Sequence, residues 1–224
     1  MPQQLTFALA APAPPTFATF LPGDNQELVD ALSRAASGRL AETGLVLWGP
    51  RGVGKSHLLA ATLAAARASG RASTSVLLAD DVADVAADAL VAVDDIDHAS
   101  AAQQGALFTL YNRLTVAGGT LVVASAAPPA RLALRDDLRT RLGHGLVYEV
   151  LPLRDAAKPA ALARHAHERG LPLPDDVIAF LLARYPRDMP SLLRAIDTLD
   201  QRSLAAKRAI TVAFVRETLG AASE

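Results

Sequence analysis

The stretch Gly49-Pro50-Arg51-Gly52-Val53-Gly54-Lys55-Ser56 leaves few folds open. It has the form G-x-x-x-x-G-K-[ST], a loop that works only after a buried strand and before a helix. Glycines let the backbone wrap closely, so successive N–H groups point at one phosphate. The following helix presents its N-terminus to the same anion. In front, Leu45-Val46-Leu47-Trp48 is an apolar run suited to a buried parallel strand; behind, Lys55 to Ala68 has helical composition up to Gly70. The chain is therefore expected to build a parallel sheet with a phosphate-binding loop at one strand end. Gly49, Pro50, Arg51, Gly52, Val53 and Gly54 would wrap the phosphates of ADP or ATP. Lys55 would reach the β/γ oxygens and the Ser56 hydroxyl would bind Mg2+.

The rest of the first two-thirds fits that sheet. Further strands are expected over Ser73–Asp80, Leu90–Val93, Thr120–Ser125 and Gly145–Val150. Helices are expected over about Asn25–Leu40, after a turn and N-cap at Gly23-Asp24, and from Ser100 to the Gly118-Gly119 pair. Strands alternating with helices imply a parallel, doubly wound sheet. Leu90-Val91-Ala92-Val93 runs straight into Asp94 and Asp95. An acid at this point completes a nucleotide site: Asp94 would hold Mg2+, mostly through water, and Asp95 would polarise the attacking water. Asp97 either belongs to the same loop or caps the next helix. Beyond Pro152 the strand signal stops, and helices are expected over 155–169, 175–184, 189–206 and 212–219. The expected organisation is a tail over 1–16, an α/β nucleotide-binding domain with a five-stranded parallel sheet over 17–152, and a small all-helical domain over 153–224.

Composition narrows the function classes. The 224 residues are 51% hydrophobic and 20% charged, a globular balance, and the net charge of −1 offers no global basic field for gripping nucleic acid. There is no cysteine, which removes disulfides and thiolate metal sites. The most apolar stretches, such as His57 to Ala68, are too short to span a bilayer, so no membrane partner and a cytoplasmic location are expected. His165 and His167 point about 200° apart on a helix, so they cannot chelate one ion, and solvation is expected for both. The opening "MPQQLTFAL" places Leu5, Phe7 and Leu9 at alternating positions before a proline-rich stretch. It reads as an edge strand, a disordered end, or a peptide for another protein's pocket.

Several segments carry a family resemblance over almost the whole chain. "LVLWGPRGVGKSHLL" and "LVAVDDID" resemble the nucleotide motifs of the AAA+ ATPases, and more narrowly of the bacterial replication initiator DnaA. "FATFLPGDNQELVDAL" resembles the segment where that family's adenine-side contacts begin, and "APPARL" its stretch after the fourth strand. "DDLRTRLGHGLVYEV" is similar to its arginine-finger segment, which places Arg141 at the finger, acting in trans. Residues 153–200 resemble its helical lid. The chain shows no segment like the initiators' DNA-binding helix-turn-helix, and the acidic "LADDVADVAADA" lacks the basic residues of a single-strand groove.

The combination resembles the Hda family, regulatory inactivators of DnaA. That resemblance implies that Gln4, Leu5, Phe7 and Leu9 bind the DNA polymerase sliding clamp (its beta subunit). It also implies that the clamp-bound protein contacts DnaA and triggers hydrolysis of DnaA-bound ATP. DNA would be reached only through the clamp, at the nucleoid and replisome, and a homodimer is left open. Two positions depart from the initiators: Ala126 stands where a polar sensor is usual, leaving Ser125 to orient water, and Pro190 stands at the sensor arginine. Nucleotide binding with weak or no intrinsic ATPase is expected, with enzyme status open because Lys55, Asp94 and Asp95 are retained. The competing reading is an autonomous AAA+ ATPase that loads replication proteins.

Overall fold

The computed structural model describes residues 15–76 and 82–220. The tail residues Gln4, Leu5, Phe7 and Leu9 lie outside the described residues. Five parallel strands form the sheet: β1 (Gly44–Trp48), β2 (Ser73–Ser75), β3 (Leu90–Val93), β4 (Thr120–Ser125) and β5 (Leu146–Glu149). Their spatial order is β2-β3-β4-β1-β5. Helices α1 (Gln26–Ala36), α2 (Lys55–Ala68), α3 (Ala101–Ala117) and α4 (Asp136–Gly143) cover the two faces.

The period-2 geometry of strands explains the two cores. Leu45, Leu47, Leu90, Ala92, Val122 and Ala124 face one side, where Leu28 and Leu32 of α1 and Leu58, Leu59 and Leu63 of α2 pack on them. Val46, Val91, Val93, Leu121 and Val123 face the other, against Leu107, Leu110 and Leu114 of α3 and Leu138 and Leu142 of α4. Burial on both faces is why these strands read as continuous apolar runs. At the other end of the strands the half-buried Arg71 guanidinium donates to the carbonyl of Ala35 and, at 3.1 Å, to the hydroxyl of Thr120. Its burial lowers its pKa from the usual arginine value.

An extended linker, 151–154, leads to a helical lid: α5 (Lys158–Glu168), α6 (Asp175–Arg184), α7 (Met189–Ala206) and α8 (Val212–Leu219). Its own core is built on Leu162, Leu181, Leu192, Ile196, Leu199 and Val215. No helix among the described residues is long and apolar enough to cross a membrane.

The elements differ from the sequence expectations where local chemistry intervenes. Helix α1 stops at Ala36 rather than near Leu40, because Gly38 turns to φ 68 and the Ser33 and Ser37 hydroxyls bond back to helix carbonyls. Asp24 does not cap it; its carboxylate pairs with Arg154 at 2.6 Å. The first lid helix begins as a 3-10 turn, Asp155–Ala157, ahead of α5. Strand β2 is Ser73–Ser75, and residues 77–81 of the longer expected strand lie outside the described residues. Strand β5 is trimmed to Leu146–Glu149.

The α4–β5 junction is tight. A Cβ on Gly145 would stand 2.2 Å from the Gly44 carbonyl oxygen, whereas one on Gly143 meets nothing within 4 Å. Gly145→Ala should therefore cost about 1–3 kcal/mol by overpacking. Gly143→Ala, at the end of α4, should be neutral or stabilising by up to about 1 kcal/mol. Urea unfolding of the two variants measures both, and equal stabilities would contradict the packing described.

Candidate nucleotide-binding site

Parallel register brings the C-terminal ends of β4 and β1 level, Trp48 pairing with Ser125, and β3 ends two residues earlier on the same edge, Val93 pairing with Val123. Ligand crevices of α/β sheets form at such strand ends. The loop 49–54 leaves β1 there, and Gly49 N–H still bonds to the Ser125 carbonyl at 3.3 Å. Gly49, Gly52 and Gly54 have φ of 152, 82 and 103, conformations that L side chains rarely adopt. Gly54 is the N-cap of α2 and provides no side-chain cap, and the first turn holds no acid. The orphan N–H groups there suit an anion.

Lys55 is buried, and its Nζ donates to the carbonyls of Gly49 at 2.6 Å and Pro50 at 3.0 Å. An arriving phosphate would compete for that ammonium. The Ser56 side chain is exposed and hydrogen-bonds to none of the described residues. Asp94 is half-buried and accepts from the Asp95 amide at 3.0 Å. Asp95 is exposed and left-handed, with φ 50, a conformation tolerated by aspartate but costly for most side chains. Pro50, Arg51 and Val53 complete the loop; Arg51 is exposed, and Val53 packs against the α1–α2 core. Among the described residues no group of three or more His, Cys, Asp or Glu side chains is placed to hold a metal by itself.

Neighbouring residues depart from their expected roles. Asp97 is neither a cap nor free: both carboxylate oxygens accept from the Ala126 amide, at 3.1 and 2.9 Å. Ser100 caps α3 instead, in a capping box with Gln103. Ser125 does not face water; it is fully buried and donates to the Ala127 carbonyl at 2.7 Å. His165 is not simply solvated, since its Nε2 meets Asp197 at 2.9 Å beside Arg169. Sequence spacing had no access to the Asp97–Ala126 and His165–Asp197 pairs, because each joins separate elements.

The lid approaches the loop directly. A Cβ on Gly52 would stand 3.3 Å from Cγ of Pro190 and 4.0 Å from a carboxylate oxygen of Asp188. Asp188 is the N-cap of α7, accepting from Ser191 N–H at 2.9 Å, and these bonds hold its carboxyl below the usual carboxylate range. Lid cations are tied down nearby: Lys158 and Arg187 pair with Asp155 at 2.6 and 3.1 Å, and Arg194 donates to the Ser191 hydroxyl at 3.0 Å. The hydrogen bond and charge of Lys158, then those of Arg187, lower the Asp155 pKa.

Residues 155–219 match the family model described as Hda, lid domain. The whole chain superposes on domain III of the Thermotoga maritima replication initiation protein DnaA with a TM-score of 0.80 at 21% identity, covering 91% of this chain and 95% of that one. Residues 155–219 thus carry the Hda lid signature, and the chain as a whole has the fold of DnaA domain III. AMPPCP-bound DnaA from Aquifex aeolicus is similar at a TM-score of 0.70 and 21% identity, over 85% of this chain and 66% of that one. The Thermotoga maritima RuvB Holliday junction branch migration motor shares the fold at 0.67 and 18% identity, over 92% and 71%. Residues 155–219 are thus the part with a family signature, carried on a fold shared with these structures.

In this lid the lowered pKa of Asp155 has a definite pH signature. A depressed folded pKa stabilises the folded state above the unfolded value and loses that contribution as pH falls through the folded one. Asp155→Asn should lower Tm at pH 7, and the gap from the parent should narrow as pH falls through and below the ordinary carboxylate range. Melting curves across that range test this, and a constant gap would contradict it.

Proposed function

We propose that this chain is a sliding-clamp-tethered AAA+ regulator. It holds an adenine nucleotide, meets a DnaA-type initiator, and stimulates hydrolysis of the initiator's ATP through Arg141. Replication initiation is thereby negatively regulated. The observation that carries this reading is the placement of Arg141. It is exposed in the last turn of α4 and makes no hydrogen bond or ion pair with the described residues. Arg135 and Arg139, its neighbours, are paired with Asp137 at 2.8 Å and Asp136 at 2.5 Å. Arg141 precedes Gly145, where a Cβ would meet the Gly44 carbonyl, and burial raises the Tyr111 pKa while the Arg141 charge lowers it. The Tyr111 ring abuts Gly44, the first residue of β1. The phosphate loop leaves the other end of β1, roughly 16 Å away at the usual rise per residue. Arg141 therefore serves a phosphate held by another molecule, where an arginine neutralises charge developing in phosphoryl transfer.

The chain's own loop favours binding over turnover. Gly49 to Gly54 and the α2 N-terminus would cradle the phosphates, with Lys55 moving from its carbonyl partners to the β-phosphate. Ser56 and Asp94 would hold Mg2+ with phosphate oxygens, and Asp95 would stand toward the attacking water. Where a lid arginine would meet a γ-phosphate, Pro190 and the ionised Asp188 stand instead, so ADP is preferred over ATP. Gln4, Leu5, Phe7 and Leu9 are the clamp-binding set, an extended peptide with apolar anchors and one hydrogen-bonding end. The site of action is then cytoplasmic, at the replisome.

Arg141→Ala should lower stimulated hydrolysis of initiator-bound ATP by about 10³-fold without changing Tm. Changing Gln4, Leu5 and Phe7 to Ala should abolish clamp binding with the fold intact. Robust ATP turnover by the purified chain alone would favour the autonomous loader. For nucleotide choice, Asp188→Asn keeps the helix cap, and it should narrow the ADP-to-ATP affinity ratio several-fold. Calorimetric titration with each nucleotide measures that ratio, and an unchanged value would remove Asp188 from the account.

A further inference from the structure

Residues 16–25 touch three parts of the molecule at once. At their start, Thr16 and Thr19 close a capping box around a single 3-10 turn, Phe17–Thr19. His57, in the first turn of α2, places Nε2 at 3.0 Å from the Thr16 carbonyl and 3.2 Å from the Thr19 hydroxyl. A carbonyl only accepts, so Nε2 carries the proton and donates. Phe20 lies on the phosphate loop: a Cβ on Gly54 would stand 2.8 Å from its ring. The Phe20 and His57 rings are 5.9 Å apart. From the lid, Arg164 of α5 donates Nη2 to the Thr19 carbonyl at 3.1 Å. At the far end, Asn25 brackets Leu151 of the linker, donating to its carbonyl at 2.9 Å and accepting from its amide at 2.8 Å. Asp24 pairs with Arg154, also in the linker.

One segment thus rests on the loop, is held by the lid, and is bolted to the linker between them. We propose that it is a latch on the nucleotide site, with Arg164 as its lid-side catch. Nucleotide leaves when the lid swings away from the loop, where Pro190 now lies against Gly52. That swing must break the Arg164–Thr19 bond, while His57 keeps the strap on the α/β domain and Asn25 keeps it on the linker. Arg164 and His57 are positioning residues, acting through the strap and not on the nucleotide. This inference rests on the nucleotide-binding reading above.

The test is stopped-flow release of a methylanthraniloyl-labelled ADP, chased by excess ADP, from the full chain. Arg164→Ala should speed release roughly tenfold, the scale of a lost charge-assisted hydrogen bond, with association changed by less than about twofold. Arg164→Lys, which keeps one donor, should fall between. Glu168→Ala is the control: it removes the 3.5 Å pair with Arg164 and leaves the Thr19 bond, so release should match the parent. Hydrogen exchange at residues 17–25 should rise in Arg164→Ala without nucleotide. A parent that fails to bind the labelled ADP overturns the nucleotide reading itself. A parent that binds, with Arg164→Ala releasing at the parent rate, overturns the latch alone.

Discussion

Strand ends gathered at one edge of a parallel sheet are the constraint on which the rest of this structure depends. Parallel pairing of β3, β4 and β1 delivers three chain segments to one edge of the sheet. Each segment needs a partner there, because a buried strand end carries polar backbone groups. The phosphate loop stays tied to β4 through Gly49 and Ser125, and the Asp97 carboxylate holds the amide of Ala126. Asp94 and the loop are thereby kept about two strand spacings apart, roughly 10 Å, across β4. Only a gap of this kind lets a bound anion lie between an acid and a lysine.

The lid treats its charges differently from the sheet edge. Lys158, Arg187 and Arg194 are each engaged by an oxygen of the lid itself, while Asp188 caps α7 beside the loop. Among the described residues, the lid atoms nearest Gly52 of the loop are therefore those of a proline and a carboxylate. Such a surface stiffens and shapes a crevice more than it stabilises a developing negative charge. The same economy of charge is absent around α4, where Arg141 has no ion-pair partner among the described residues while Arg135 and Arg139 do.

Much of this was legible in the residues alone, for a physical reason. Burial on both sheet faces writes long apolar runs, and the left-handed turns of the loop demand glycine, so the strands and Gly49–Ser56 stand out. The helices of the lid follow from periodic burial, and α6, α7 and α8 fall where that pattern places them. What could not be read are bonds between distant segments. Asp24 with Arg154, Asp97 with Ala126, and His165 with Asp197 each join residues from different elements. Periodicity reports on one element at a time, so it assigned the first two aspartates to caps or loops and the histidine to solvent. Ser125 misled for a related reason: its hydroxyl is satisfied by the Ala127 carbonyl two residues on, which composition cannot reveal.

The distance along β1 between Tyr111–Arg141 and the phosphate loop gives the molecule a head and a tail. On the role proposed for Arg141, the surface would donate an arginine at one end and accept one at the other, and so would not be self-complementary. Two copies joined through it would be related head to tail, each leaving one end unsatisfied, and a two-fold pair could not use it on both sides. Contacts of this kind either close into rings or run on in one direction. On that reading, the length of a single five-residue strand would set the polarity of any such assembly.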